Sequence, residues 1–160
     1  MEGNSKVITV VCTGNVCRSP MAERLLAHAF AAEDCPLRSL KVRSAGLSAA
    51  SGNPASSNSI KALKAVSLNL EDHRSQPFSP LIAQSSDLIL TMTSAHRDAI
   101  SLNFPDLGIP VHRFREWVPS GSHEVPDPFG GPLDLYLETR DSLAEAIPSI
   151  LTFLKKDFLQ

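Results

Sequence analysis

The sequence predicts an α/β fold, a small doubly wound sheet of four parallel strands with helices on both faces. Two observations carry this prediction. Four short segments rich in apolar residues alternate with segments that place apolar residues at helical spacing. A helical segment also separates each predicted strand from the next, which is typical of parallel strands joined by helices. The predicted strands cover Lys6–Cys12, Leu40–Ser44, Asp87–Met92 and Pro110–Phe114.

The elements of the N-terminal half follow from local patterns. The apolar run Val7–Val11 is typical of a strand that is buried on both faces. After this strand, Ser19 is predicted as the N-cap and Pro20 as the first residue of a helix. The apolar face of that helix comprises Met21, Ala22, Leu25, Leu26, Ala29 and Phe30. The second strand ends at Ala45-Gly46, and helical spacing of apolar residues predicts a second helix over Ala55–Val66.

The C-terminal half continues the alternation. A short helix is predicted over Ser94–Leu102, and a long helix begins at Leu133. Pro148 lies inside this long helix, so we expect a kink or the loss of one backbone hydrogen bond. Two irregular segments, Ser44–Asn58 and Trp117–Pro132, are predicted to lie at the carboxyl ends of the strands beside the loop after the first strand.

Length and composition are those of one soluble domain, predicted to span residues 1–160. The chain has 160 residues, 42% of them hydrophobic and 20% charged, with a net charge of −2. This charge predicts no attraction to nucleic acid or to an anionic membrane, and no apolar stretch is long enough to span a bilayer. Three cysteines, one of them needed as a thiol, indicate a reducing compartment, and the cytoplasm is expected. The sequence predicts no oligomeric state.

The loop after the first strand combines three features of an anion site. Cys12 ends the strand, Gly14 and Asn15 follow in the turn, and Arg18 closes the loop. A tight strand–loop–helix junction directs backbone N–H groups and the positive helix end into one small cavity. The same field stabilises a thiolate, and the planar guanidinium of arginine matches phosphate oxygens. A lone cysteine is more often a core residue, but the joint pattern predicts a phosphate-transfer site.

The segment around this loop resembles the signature of the low-molecular-weight protein phosphatases. It reads Cys12-Thr13-Gly14-Asn15-Val16-Cys17-Arg18-Ser19-Pro20-Met21-Ala22-Glu23. Four further segments look like landmarks of this family and occur in the expected order. They are Arg43-Ser44-Ala45-Gly46, Asp72-His73-Arg74-Ser75, Asp87–Met92 and Asp127-Pro128-Phe129-Gly130. The resemblance therefore covers nearly the whole chain. It implies the predicted fold, with the phosphate-binding loop after the first strand.

The resemblance also implies the roles of the site residues. Cys12 would attack phosphorus and form a phosphocysteine intermediate, Arg18 would bind the phosphoryl oxygens, and Asp127 would be the general acid and then the general base. The phosphate-binding loop would comprise Thr13, Gly14, Asn15, Val16, Cys17 and Arg18. The expected partner is a phosphorylated protein. No cofactor is expected, and no metal either, because the histidines lack metal-ligand spacing.

Supporting residues follow from the same resemblance. Asn15, Ser19, Ser44 and His73 would form a network that fixes the loop, and Thr13 and Phe129 would form the wall of the substrate site. Two interpretations of Cys17 remain open. It packs beneath the loop as a small apolar side chain, or it forms a disulfide with an oxidised Cys12 and protects that sulfur from irreversible oxidation.

The resemblance leaves the substrate open between phosphotyrosine and phosphoarginine. The overall landmarks look closest to the bacterial arginine phosphatases, which typically carry threonine where this chain has Val16. An aliphatic residue there is typical of the tyrosine phosphatases, and we therefore predict phosphotyrosine, with phosphoarginine as the alternative. Arsenate reductases share the loop and the fold, but they need further cysteines around the third strand, and the segment Ser75–Arg97 has none.

Overall fold

The centre of the protein is one sheet of four parallel strands. In the computed structural model, which describes residues 5–159, the strands are β1 (Val7–Cys12), β2 (Lys41–Gly46), β3 (Leu88–Thr91) and β4 (Val111–Arg113). Their order across the sheet is β2-β1-β3-β4. Cys12 lies opposite Gly46, and Val11 lies opposite Thr91. The chain reverses its direction across the sheet between β1 and β3, and the loop after Cys12 therefore lies at the crevice where such folds bind ligands.

The helices cover both faces of the sheet, as predicted. They are α1 (Arg18–Ala31), α2 (Ser57–Lys64), α3 (Pro80–Gln84), α4 (Ser94–Asn103) and α5 (Leu133–Phe153). Helices α1, α2 and α5 share the larger apolar core, which includes Ile8 and Val10 of β1. Helices α3 and α4 contribute Ala83 and Ile100 to the smaller core on the opposite face, which includes Val11. The alternation of Val10 and Val11 follows from the two-residue period of a strand.

The start of α1 differs from the prediction. The helix begins at Arg18, the N-cap is Cys17 rather than Ser19, and Pro20 is the third helical residue. Within residues 5–159, no side chain caps this end of the helix, and the Ser19 hydroxyl bonds to the sulfur of Cys12. Pro20 is tolerated there because the first backbone N–H groups of a helix have no partner within the helix.

Two other helices show how capping decides helix bounds. The predicted helix over Ala55–Val66 is shorter, because Ser56 is an extended residue whose hydroxyl accepts from the N–H of Ser59. Helix α3 was not predicted. Its signal was Ser79-Pro80, an N-cap followed by a proline at the first helical position.

Helix α5 runs from Leu133 to Phe153 through Pro148 without a break. Proline has no N–H, so the carbonyl of Ala144 lacks its helical donor, and the predicted loss of one backbone bond follows. A π-helical turn over Leu154–Phe158 continues the chain. In the described part of the chain, no helix is long and apolar enough to cross a membrane.

Candidate active site

The loop of residues 12–18 joins β1 to α1 and turns sharply at Asn15. Asn15 has φ 57°, in the left-handed region that asparagine enters more readily than most residues. Its side-chain amide donates to the Ser19 hydroxyl at 2.9 Å, and its side-chain oxygen accepts from the N–H of Gln76, also at 2.9 Å. These two bonds stabilise the turn, so Asn15 holds the shape of the loop from inside the protein.

The carboxyl end of β2 lies directly behind this loop. A Cβ atom on Gly46 would stand 2.6 Å from the carbonyl oxygen of Thr13 and 2.9 Å from the nitrogen of Asn15. The N–H of Ser48 donates to the same Thr13 carbonyl at 2.9 Å. A Cβ on Gly14, in contrast, would meet only one atom within 4 Å, at 3.7 Å. The close approach therefore requires glycine at 46, whereas the glycine inside the signature has room for a methyl group.

The irregular segment Ser44–Asn58 supports the loop from behind. The N–H of Leu47 donates to the carbonyl of Cys12 at 2.9 Å, and the N–H of Ser56 donates to that of Val16 at 2.8 Å. No residue of this segment is among those that line the cavity described below. The segment lies beside the loop, as predicted. It supports the loop through backbone hydrogen bonds and does not form the entrance of the site.

The sulfur of Cys12 lies at the bottom of the loop. The residue is 2% exposed, and its Sγ lies 2.9 Å from the Ser19 hydroxyl and 3.2 Å from the N–H of Asn15. Both groups can donate to sulfur, and a thiolate accepts such bonds more strongly than a thiol does. The sulfur therefore lies where two donors point at it, at the bottom of the cavity.

Three of the four predicted network residues lie together. Asn15 and Ser19 are joined directly, and the His73 ring lies with its Nε2 2.7 Å from the backbone oxygen of Asn15. Because a carbonyl oxygen can only accept, this His73 nitrogen carries the hydrogen. The bond ties the segment around His73 to the turn of the loop.

The hydroxyl of Ser44, the fourth predicted member, does not bond to the other three network residues. Its Oγ donates to the carboxylate of Glu23 on α1 at 2.8 Å. A carboxylate is a stronger acceptor than the neutral groups of the network, which accounts for this choice. The backbone oxygen of Ser44 accepts from the Gln76 side chain at 3.0 Å, and the backbone N–H of Gln76 donates to Asn15, which links Ser44 to the network indirectly.

Arg18 is 4% exposed and spans the side of the site. Its Nη1 donates to the carbonyl of Val125 at 2.9 Å, and its Nη2 lies 3.5 Å from the Thr13 hydroxyl and 3.7 Å from a carboxylate oxygen of Asp127. Its Nε–H is buried and has no hydrogen-bond partner within residues 5–159. An unpaired buried donor on a cation is costly, and an anion in the cavity would satisfy it.

Asp127 and Phe129 reach the site from the irregular segment Trp117–Pro132. Asp127 has a half-exposed side chain, 51%, and its Oδ1 accepts from the N–H of Phe129 at 3.0 Å. The Phe129 side chain is 72% exposed. The segment is fixed two residues before Asp127, because the N–H of Val125 donates to the carbonyl of Met92 at 2.9 Å and its own carbonyl accepts from Arg18.

These residues enclose a cavity of ≈ 200 Å³. Its lining is Cys12, Thr13, Gly14, Val16, Cys17, Arg18, Asp127 and Phe129. Asn15 is the one predicted loop residue absent from this lining, since its side chain turns inward. A larger cavity of ≈ 290 Å³, beside Cys35 and Lys155, lies elsewhere and lacks this combination of thiol, guanidinium and carboxylate. Within residues 5–159, no group of three or more His, Cys, Asp or Glu residues could hold a metal ion.

Cys17 lies beneath the loop, beside two residues that the sequence did not single out. Its Sγ is 3.5 Å from the phenol oxygen of Tyr136 on α5 and 3.5 Å from the Ser56 hydroxyl. Burial is the main cause that raises the pKa of Tyr136 to about 12, and the hydrogen bond with Cys17 is the next largest. The phenol therefore stays protonated. Tyr136 lies on the buried face of α5, and no local sequence pattern indicates that it reaches the loop.

His96 is the third residue that sequence reasoning did not connect with the site. It is the third residue of α4, is 8% exposed, and its Nε2 lies 2.9 Å from the Thr13 hydroxyl. Burial, and after it the positive charge of the nearby Arg18, lowers the pKa of His96 to about 4. The available signal was topological: α4 begins directly after β3, whose carboxyl end lies beside that of β1.

Comparisons with known proteins agree in sequence and in structure. The profile of a family described as low molecular weight phosphotyrosine protein phosphatase matches residues 7–160. A protein-arginine-phosphatase of Bacillus subtilis is 40% identical over 153 residues, which cover 94% of this chain and 97% of that protein. The low molecular weight protein-tyrosine-phosphatase Wzb of Salmonella typhi is 38% identical over 144 residues, covering 90% and 85%.

Two solved structures show the same fold over nearly their full length. The YwlE arginine phosphatase from Geobacillus stearothermophilus superposes with a TM-score of 0.83, 34% identity and 96% of each chain covered. The tyrosine phosphatase Wzb from Escherichia coli K30, in complex with sulphate, gives a TM-score of 0.82 at 31% identity, covering 94% of this chain and 99% of that one.

Proposed function

The chain belongs to the low molecular weight protein phosphatases, and on that premise we propose that it hydrolyses phosphotyrosine in proteins through a phosphocysteine intermediate. The family and the fold class predicted from the sequence are confirmed. The observation that carries the proposal is that one cavity is lined by the thiol of Cys12, the guanidinium of Arg18 and the carboxyl group of Asp127.

In the first step, the Cys12 thiolate attacks phosphorus and forms a sulfur–phosphorus bond. The bond from phosphorus to the tyrosine oxygen breaks, and its electron pair stays on that oxygen. Asp127 donates a proton to the same oxygen, so that a neutral phenol leaves. The Ser19 hydroxyl and the N–H of Asn15, which lie beside the sulfur, stabilise the thiolate before the attack.

Arg18 and the loop stabilise the negative charge of the phosphoryl group as it is transferred. The unpartnered Nε–H of Arg18 and its Nη2 form a planar pair of donors that fits two phosphoryl oxygens. The backbone N–H groups of the loop, at the uncapped start of α1, are the remaining donors. A relative was crystallised in complex with sulphate, an anion of the same shape as phosphate, which supports anion binding by a protein of this fold.

In the second step, water replaces the thiolate on phosphorus. Asp127, now a carboxylate, removes a proton from the water, whose oxygen forms the new bond to phosphorus. The sulfur–phosphorus bond breaks, its electron pair returns to the Cys12 sulfur, and inorganic phosphate leaves. The half-exposed position of Asp127 allows both the leaving phenol and the incoming water to reach it.

The wall of the cavity supports phosphotyrosine as the substrate. Val16 presents only aliphatic atoms, and the Thr13 oxygen is already within reach of His96 and Arg18. A phenyl ring makes no polar demand on such a wall, whereas a guanidinium carries N–H groups that need acceptors once they leave water. Phe129, exposed at the entrance, offers a further apolar surface to a ring.

Phosphoarginine is the second candidate substrate, supported by a different observation. Two arginine phosphatases, from Bacillus subtilis and Geobacillus stearothermophilus, are 40% and 35% identical to this chain along almost their whole length. The carboxylate of Asp127 is an acceptor that a guanidinium could use.

A side-by-side assay separates the two substrates. We expect kcat/KM to be higher for a phosphotyrosine peptide than for the matched phosphoarginine peptide, and Val16→Thr to shift the ratio toward phosphoarginine, because it adds a hydroxyl to the wall. A wild-type preference for phosphoarginine would overturn the substrate assignment and leave the phosphatase assignment standing.

The role of Asp127 is tested with leaving groups of different quality. Asp127→Asn should slow the hydrolysis of phosphotyrosine far more than that of 4-nitrophenyl phosphate, whose leaving group needs little protonation. Asp106→Asn, at an exposed site that does not line the cavity, is the control and should change neither rate. An equal loss for both substrates in kcat/KM, which reports the first step and not the common second step, would assign Asp127 a structural role instead.

We further propose that the chain acts in the cytoplasm, as one domain over residues 1–160, on phosphorylated proteins. Cys12 and Cys17 are buried free thiols and Cys35 is an exposed one, which fits a reducing compartment.

A further inference from the structure

A buried histidine supports the wall of the cavity from α4. His96 packs in the first turn of that helix, where its own N–H donates to the Thr93 hydroxyl at 3.2 Å. The ring points to the loop, with Nε2 2.9 Å from the Oγ1 of Thr13. Thr13 lines the cavity, and His96 is absent from the cavity lining. The hydrogen-bond contact of His96 with the cavity wall is therefore made through Thr13.

The ring is neutral at physiological pH. Burial lowers its pKa to about 4, and the positive charge of Arg18 acts in the same direction against the opposing charges of Asp127 and Glu124. A neutral imidazole carries one hydrogen, so one of its nitrogens donates and the other accepts.

The surroundings of the ring decide which nitrogen carries that hydrogen. The Nδ1 atom of His96 is buried and has no hydrogen-bond partner within residues 5–159. A buried N–H without a partner is rarer in proteins than an incompletely used acceptor. The hydrogen therefore belongs on Nε2, and the ring donates to the Oγ1 of Thr13.

The Thr13 oxygen then has two donors around it. Nε2–H of His96 lies at 2.9 Å, and the Nη2 of Arg18 lies at 3.5 Å. A hydroxyl oxygen has two lone pairs and one hydrogen, so when both lone pairs face donors the hydrogen points away from both. The remaining direction is the cavity that Thr13 lines.

We propose that His96 is a positioning residue of this site, which orients the Thr13 hydroxyl as a donor toward the bound phosphoryl group. Through the same Thr13 oxygen, His96 also helps to hold the Arg18 guanidinium in position. The proposal rests on the proposed phosphatase function. It assigns His96 no contact with the substrate and no proton transfer. Its effect is on the geometry of the oxygen that lies between the imidazole and the guanidinium.

The kinetic test is a double-mutant cycle with a conservative rescue. His96→Leu should lower kcat about tenfold with little change in KM, which is the size expected for one hydrogen bond made in the transition state. His96→Gln, whose amide can still donate, should restore most of the rate. In a Thr13→Val background, His96→Leu should cost less than about twofold further. The exposed His28→Leu is the control and should leave the rate unchanged.

Binding of inorganic phosphate, measured in the wild type, His96→Leu, Thr13→Val and the double variant, completes the cycle if Thr13→Val is too slow for kinetics. An equal loss on removing His96 in both Thr13 backgrounds, in rate or in phosphate affinity, would make His96 a packing residue and overturn the proposal. An unchanged rate in His96→Leu would overturn it as well.

The ring itself gives a readout that does not depend on activity. Nitrogen-15 NMR of the histidine side chains at pH 7 should show His96 neutral, with the hydrogen on Nε2. A hydrogen on Nδ1, or a charged ring, would overturn the proposal. An inactive wild-type protein with the expected tautomer and phosphate affinity would instead refute the proposed function and leave the positioning of Thr13 intact.

Discussion

Replacing Gly46 by alanine tests how tightly the sheet supports the loop. The added methyl carbon would lie 2.6 Å from the Thr13 oxygen, 2.8 Å from the Cβ of Ala49 and 2.9 Å from the Asn15 nitrogen. Two of these three atoms are backbone atoms of the loop, and relief of the clash therefore requires the loop or the end of β2 to move. Overpacking of this kind costs about 1–3 kcal/mol.

Movement of the loop adds a second cost. Separation of β2 from the loop weakens the bond from the N–H of Ser48 to the Thr13 carbonyl, which is worth about 1 kcal/mol. The free energy of unfolding should fall by about 2–4 kcal/mol, measured by urea denaturation with an unchanged m-value. In a chain of this length, such a loss lowers Tm by roughly 4–16 °C. A displacement of the loop should also lower kcat by at least about tenfold.

Gly14→Ala is the matched control for Gly46→Ala. It adds the same methyl group inside the signature, where the nearest atom is 3.7 Å away, and it should change stability by less than about 0.5 kcal/mol. A stable, fully active Gly46→Ala protein would refute the argument. So would a larger loss of stability in Gly14→Ala than in Gly46→Ala.

Four further outcomes are expected. Cys12→Ser should lose turnover and still bind inorganic phosphate in calorimetry, because the loop N–H groups and the guanidinium remain; wild-type turnover would remove Cys12 from the mechanism. Arg18→Lys should lower kcat/KM by at least about a hundredfold, because an ammonium cannot replace a planar pair of donors, and a near-normal value would contradict its role. Peroxide inactivation should be reversed by thiol in the wild type but not in Cys17→Ser; mass spectra without a Cys12–Cys17 disulfide would leave Cys17 as packing alone. As the pH falls from 6.5 to about 4, the free energy of unfolding should fall by on the order of 3 kcal/mol less in His96→Gln than in the wild type, because the unfolded wild-type chain protonates His96 and the folded chain does not.

The sequence predicted the parts of this protein that depend on neighbouring residues. The four strands lie within two residues of their predicted bounds, because continuous apolar runs such as Val7–Val11 have few alternatives to a buried strand. The strand–loop–helix junction at Cys12 and Arg18 was predicted for a similar reason, since its chemistry is contained in one short segment.

Contacts between distant segments could not be predicted in the same way. Ser19 has the composition of an N-cap, but its hydroxyl bonds to a sulfur seven positions earlier, so the helix begins before it. The Ser44 hydroxyl has a carboxylate within reach that only the packing of α1 on β2 brings there. His96 is 83 positions from Thr13, and no local pattern indicates that the two side chains meet.

Arg18 has a second bond whose consequence reaches beyond phosphate binding. Its Nη1 is held by the carbonyl of Val125, two residues before Asp127. The guanidinium that binds the anion therefore also fixes the segment that carries the general acid, Asp127. Removing the guanidinium weakens the binding of the anion and also frees the segment before Asp127. The loss of rate in an Arg18 variant is therefore larger than the contribution of Arg18 to phosphate binding alone. The effects of Arg18 and Asp127 variants on kcat/KM should therefore be far from additive in free energy. The fold-loss of kcat/KM in the double variant should be smaller than the product of the fold-losses in the two single variants.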